Sequence, residues 1–217
     1  MRYLPNGKQM SEADAHTIHE IGIPSLVLME RAALQIVETM HKKNISTEKS
    51  LIVCGSGNNG GDGFAVARLL TEQGKHADVL FAGKEASLSE ECRCQKQIVE
   101  NMGISVFTEF PDEEYTVIID AVFGVGLCRE IIGHYKDVID WMNLQDAEKV
   151  AVHIPSGICA ATGKILGTAF RADLTVCMVC VKLGCELFPG KSYAGESIPV
   201  AIGIDPKYFS NRLDVCY

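Results

Sequence analysis

Apolar positions are spaced in two different ways along the chain. Near the start they recur at helical intervals. In QMSEADAHTIHEI, the positions Met10, Asp14, Ile18 and Ile21 fall near one face of a predicted helix that ends on Gly22. In SLVLMERAALQIVETMHKK, the positions Leu28, Ala32, Ile36 and Met40 do the same, with Pro24 and Ser25 ahead of them as break and cap. From residue 51 the apolar residues instead come in short unbroken runs rich in Val and Ile: LIVC, ADVLF, TVIID, KVAVHI, DLTVCMV and IPVAIGI. Such runs suit strands buried on both faces. Between them, FAVARLLTEQG reads as a helix closed by Gly74, and YKDVIDWMN as another. SLSEECRCQKQIVENMG reads as a helix opened by a capping box of Ser87 and Glu90 and closed at Gly103.

This alternation predicts an α/β fold: a three-layer α/β/α Rossmann-like sandwich with a mostly parallel sheet and two N-terminal helices packed on it. No internal repeat, low-complexity tract or linker interrupts the pattern, so residues 1–217 are expected to form a single domain. A chain of this size buries roughly 70% of the surface it exposes when unfolded, enough for a core without disulfides.

Charge and cysteine content narrow the function classes. The net charge is −8 and no Lys/Arg cluster is present, which argues against nucleic acid as a partner. A phosphate-bearing ligand stays open, because helix N-termini bind anions through backbone N–H groups. No apolar run reaches the ~18 residues that suggest a membrane span. The start, MRYLPNGKQM, has no apolar signal core, and the nine cysteines are read as reduced thiols of a cytoplasmic protein. Cys177 and Cys180 have CxxC spacing but fall on a predicted strand. Residues three apart on a strand point to opposite faces, so packing is expected there rather than a metal or redox site.

In open parallel sheets, ligands bind beyond the carboxyl ends of the strands. After LIVC comes GSGNNGGDG, with five glycines in nine residues, where backbone can approach a ligand and a following helix can face an anion. Asp62 is expected at the start of that helix, where a carboxylate caps free N–H groups. A dinucleotide dehydrogenase should carry an acidic residue about 20 positions on, at the end of the second strand, to hold a ribose. ADVLFAGK has none at that end, which disfavours a standard NAD dehydrogenase. After TVIID comes DAVFGVGLCREIIG, where Asp120 is a ligand or a loop cap and Arg129 can meet a phosphate as a planar fork. After KVAV comes HIPSG, where His153 is either a structural residue or a site residue at a third strand end.

GSGNNGGDG, DAVFGVGL and IPSG…TG, in this order, resemble the NAD(P)H-hydrate epimerase family, the YjeF N-terminal domain. GIPSLVLMERAA, Lys-Leu-Gly at 182–184 and IPVAIGI support the resemblance, which covers nearly the whole chain. It implies epimerisation of the R and S forms of hydrated NADH and NADPH (NADHX and NADPHX) at C6 of the nicotinamide ring. A separate or fused NAD(P)HX dehydratase would then restore the cofactor from the S form. A homodimer is implied as well. The resemblance assigns substrate binding to Asn58, Asn59, Gly60, Gly61 and Asp62, and to Gly124, Val125, Gly126, Leu127, Cys128, Arg129 and Glu130. It assigns a potassium ion to Asn59, Asp120 and Ser156, all oxygen-bearing. One position departs from the pattern: the family has Asp before Ile-Pro-Ser-Gly, and this chain has His153. His153 would then bind substrate and serve as the acid/base group, with a reference pKa of about 6.5. The alternatives are weakened activity, a changed substrate, or a non-catalytic nucleotide-binding or scaffold domain on the same fold.

Overall fold

A computed structural model describes residues 3–210. Seven strands form one sheet in the order β3-β2-β1-β4-β5-β6-β7. They are β1 (Lys49–Cys54), β2 (His76–Phe81), β3 (Val106–Phe107), β4 (Val117–Ala121), β5 (Glu148–Val152), β6 (Leu174–Met178) and β7 (Glu196–Val200). Every pairing is parallel. The runs are unbroken because both faces are covered. Ile52 and Cys54 pack into the core on one face, with α2 (Ser25–Lys42), α3 (Asn58–Glu72) and α4 (Glu90–Asn101). Leu51 and Val53 point the other way, to Val138, Ile139 and Met142 of α5 (His134–Leu144). The expected three-layer α/β fold is therefore present, and the period-two alternation splits its core between the two faces.

The first helical segment is less regular than its pattern suggests. Helix α1 spans Gly7–His16 and runs into a π turn, Thr17–Ile21, that leaves Ile21 exposed. Asn6 caps α1 in a reciprocal box with Gln9. In α2 the predicted stripe holds: Leu28, Ala32, Ile36 and Met40 are all buried. Pro24, not Ser25, stands at its N-cap position, and Ser25 is the first helical residue. Helix α4 is not capped by Ser87 and Glu90. Ser87 lies in a separate short turn, Glu85–Ser87, and Ser89 accepts from Cys92 N at 3.2 Å. The box spacing occurs two residues early because the 3-10 turn, closed by Ser87 N donating to Lys84 O, uses those residues first. Strand β3, only two residues long, carries too little pattern to be read.

The chain builds β1, β2 and β3 outward on one side, then returns to place β4 on the other side of β1. Connections leaving the carboxyl ends of β1 and β4 diverge there, which opens a crevice. Cys177 packs with Leu4, Ile154 and Cys185, and Cys180 in the opposite core, as expected for packed thiols.

Candidate active site

The crevice beyond β1 and β4 is a cleft of about 630 Å³. Its floor is made by the chain leaving β1. Helix α3 begins at Asn58, so most of the glycine-rich string is helix rather than loop. The glycines are there for close approach. A Cβ on Gly60 would stand 1.9 Å from Gly55 O, and one on Gly63 would stand 2.6 Å from Ala121 Cβ. Ser56, Gly57 and Asn58 bring the free N–H end of α3 to the cleft wall. Asp62 is not a cap: it is the fifth residue of α3 and its carboxyl is buried.

Beneath the cleft lies an oxygen-rich cluster. Asp120, fully buried near the end of β4, accepts from Ser156 Oγ at 2.6 Å and from Ser156 N at 2.7 Å. Ser156 Oγ also accepts from Phe123 N at 2.8 Å, which ties the loop after β4 to the loop after β5. Burial raises the Asp120 carboxyl to about 6, although the Ser156 and Val122 hydrogen bonds act to lower it. Asn59, from the first turn of α3, sits within van der Waals reach of Gly124. Its Oδ1 and Nδ2 are buried without a hydrogen-bond partner. Gly124 follows Phe123, whose N donates to Ser156 Oγ, and an orphaned buried amide packed at that loop fits a hard monovalent cation by its donor chemistry.

An inner chamber of about 100 Å³ adjoins the cleft and shares Asp14, Asn58, Asp62 and His153 with it. His153 leaves β5 with φ +66, in the left-handed region, and its backbone N donates to Val176 O at 2.9 Å. That turn aims the ring at α3, where Nε2 stands 3.5 Å from Asp62 Oδ2. Nδ1 is buried without a hydrogen-bond partner. Burial, with the Lys182 charge nearby, lowers His153 to about 3, while Asp14 pulls the other way. The ring is therefore a neutral imidazole at physiological pH, and its titration moves away from the range expected for a free side chain. Burial raises Asp62 well above the ordinary carboxylate range. Burial also raises Asp14, against the pull of His153 and Lys182. Lys182 is itself fully buried and donates to Met178 O at 2.8 Å and Cys180 O at 3.0 Å.

The structure brings most of the expected site residues to one cleft. Asn58, Asn59, Asp62, His153 and the stretch from Gly124 to Arg129 line it. Gly60 and Gly61 are buried behind the wall, and Glu130 is exposed outside it. Asp120 and Ser156 lie below, within hydrogen-bonding distance of each other. Sequence reasoning missed Ser11, Asp14, Phe123 and Tyr135, which also line the cleft. Asp14 did leave a signal: it is a carboxylate on the helix face that carries buried Met10.

Comparison with known proteins agrees with this architecture. Residues 25–184 match the family described as YjeF-related protein N-terminus. A protein of Oenococcus oeni named NAD(P)H-hydrate epimerase is 41% identical over 201 residues, 92% of this chain and 96% of its own. One of Limosilactobacillus reuteri with the same name is 42% identical over 197 residues, 90% of this chain and 93% of its own. The crystal structure of the yeast protein ynu0 is similar in fold, with a TM-score of 0.77 at 18% identity, over 94% of this chain and 95% of its own.

Proposed function

The chain belongs to the YjeF-related N-terminal family, and from that premise we propose that it is an NAD(P)H-hydrate epimerase, an isomerase that interconverts the R and S forms of NADHX and NADPHX. The observation that carries this reading is a single cleft shared by the N-terminus of α3, residues 124–129 of the loop after β4 and His153, in a chain similar along almost its full length to proteins of that name. The same likeness favours catalysis over a scaffold role.

The roles follow from the geometry. Ligand phosphate meets the N-terminus of α3, with Arg129 at the cleft wall as a second anchor. Phe123 and Tyr135, with ring centroids 4.8 Å apart, offer flat apolar surface to a base. The hydrated nicotinamide ring turns inward to His153, whose unpaired Nδ1 accepts from a hydroxyl or water at C6. Asn59, Asp120 and Ser156 would hold a potassium ion, which would fix the two loops together and offset ligand charge. The reading also includes one domain over residues 1–217, a homodimer, a cytoplasmic setting and an NAD(P)HX dehydratase as functional partner, separate or fused. Among the described residues no helix is long and apolar enough to cross a membrane.

The test is direct. Purified protein incubated with R-NADPHX is expected to drive the epimer ratio to equilibrium faster than buffer alone. His153→Ala, which removes the acceptor that holds the hydroxyl or water at C6, is expected to slow this by about tenfold, the worth of one hydrogen bond, while keeping the fold. An unchanged epimer ratio with the natural chain overturns the reading, and full activity in His153→Ala removes His153 from it.

A further inference from the structure

We propose that Asp14 is the proton-carrying catalytic residue of this site, its carboxyl taking the place of the one that the sequence pattern lacks at position 153. The inference rests on the epimerase reading and deepens it. Asp14 comes from α1, far in sequence from the strand-end loops, yet it borders both the outer cleft and the inner chamber. Two carboxyls border that chamber among the described residues. Asp62 is buried and faces the ring of His153 at 3.5 Å. Asp14 is only half-buried, so it is the one that a ligand can reach.

The charges around Asp14 come from three other elements. Asp62 of α3 pushes its carboxyl toward the neutral form, whereas His153 after β5 and Lys182 after β6 act the other way. Burial outweighs these, so a proton is held on Asp14 more firmly than on a free aspartate. His153 cannot fill that role, because its imidazole is neutral at the pH where the enzyme works and has no proton to spare on the unpaired Nδ1 if it accepts there.

The step balances within the site. Asp14 passes its proton to the C6 hydroxyl as the C6–O bond breaks. Water leaves, and the N1 lone pair forms a C6–N1 double bond that carries the positive charge. Water then adds to the opposite face of C6, the double-bond electrons return to N1, and the surplus proton returns to the Asp14 carboxylate. Neither oxidant nor reductant is required. His153 Nδ1 accepts from the water and holds it at the ring.

The test compares the natural chain, Asp14→Asn and Asp14→Glu on R-NADPHX. Asp14→Asn is expected to lose about 10²–10⁴-fold in kcat with KM changed only a few-fold and melting temperature retained. Asp14→Glu is expected to keep measurable turnover. In the natural chain kcat should fall as pH rises past the Asp14 pKa, and Asp14→Glu should displace that limb. Asp14→Asn turning over within about threefold of the natural chain overturns the proposal. If Asp14→Asn does not fold, an alkaline limb that stays in place in Asp14→Glu overturns it instead. A natural chain inactive on R-NADPHX sinks the epimerase reading and this inference together; an active natural chain with an undiminished Asn variant sinks the inference alone.

Discussion

His153 shows how far a residue's chemistry depends on what surrounds it. As a free side chain it would titrate near neutrality, and a rate limb near pH 6.5 would be its signature. In the fold, burial lowers it to about 3. A folded pKa below the unfolded one means that the unfolded chain binds the proton more tightly. The neutral ring's contribution to stability is therefore complete above about pH 6.5 and is lost as pH falls toward 3, at up to ~1.4 kcal/mol per pH unit. Asp14 and Asp62 are raised and work in the opposite sense: what they contribute is present below the ordinary carboxylate range and fades as pH rises through their folded values. Comparing the natural chain with His153→Gln removes the histidine and leaves both carboxyls. Urea unfolding should show the natural chain losing stability relative to the variant between pH 7 and 5, and parallel curves across that range would contradict the assigned burial. No sequence pattern announces such a shift, because it arises from burial in the surrounding core and, after that, from the Lys182 charge, rather than from neighbours along the chain.

At the scale of elements, the long runs were legible and the ends were not. A strand buried on both faces is mostly apolar, so β1, β4 and β6 stand out in the sequence despite buried Ser50, Asp120 and Thr175. The stripe Leu28, Ala32, Ile36 and Met40 stands out for the same reason. Helix starts depend on one or two residues and on what precedes them, which is why Ser87 misled and Ser89 caps. The start of α3 is the instructive case. Glycines suggest loop, but here they are required by the closeness of β1 and β4 to the helix's first turns. That changes the expected effect of substitution. A side chain at Gly60 would collide with Gly55 backbone, so the variant is not a clean probe of ligand contact. Gly60→Ala is expected to cost about 1–3 kcal/mol in urea unfolding, as overpacking does, and to weaken nucleotide binding with it. A stable Gly60→Ala variant with weakened binding would instead place Gly60 in direct ligand contact.

At the scale of the whole molecule, the sheet order places the site. The carboxyl ends of β1, β4 and β5 are adjacent because the strands are adjacent, so residues 58–62, 120 and 153–156 converge although nearly 100 positions separate the outermost of them. Strand-end loops could be named from sequence for that reason. Asp14 could not, because nothing in the strand pattern says which part of an N-terminal helix will lean over the crevice. The same convergence argues for a cation as a structural bridge. Ser156 and Asp120 already join two of the loops by hydrogen bonds of 2.6 and 2.7 Å, while Asn59 of α3 brings a buried amide with no partner. A buried polar group left unpaired costs about 1–3 kcal/mol, and an ion that accepts Asn59 Oδ1 together with the Asp120 carboxylate would offset that cost in the folded state only. A cation also favours the charged form of Asp120, which burial otherwise raises to about 6. Protein freed of monovalent metal ions should therefore melt at a higher temperature when potassium is added than when tetramethylammonium is added at equal ionic strength. Asn59→Ala should reduce that difference, since it deletes the ligand oxygen and the unpaired amide together. Equal melting curves in the two salts for the natural chain would mean that these oxygens serve the loops without an ion.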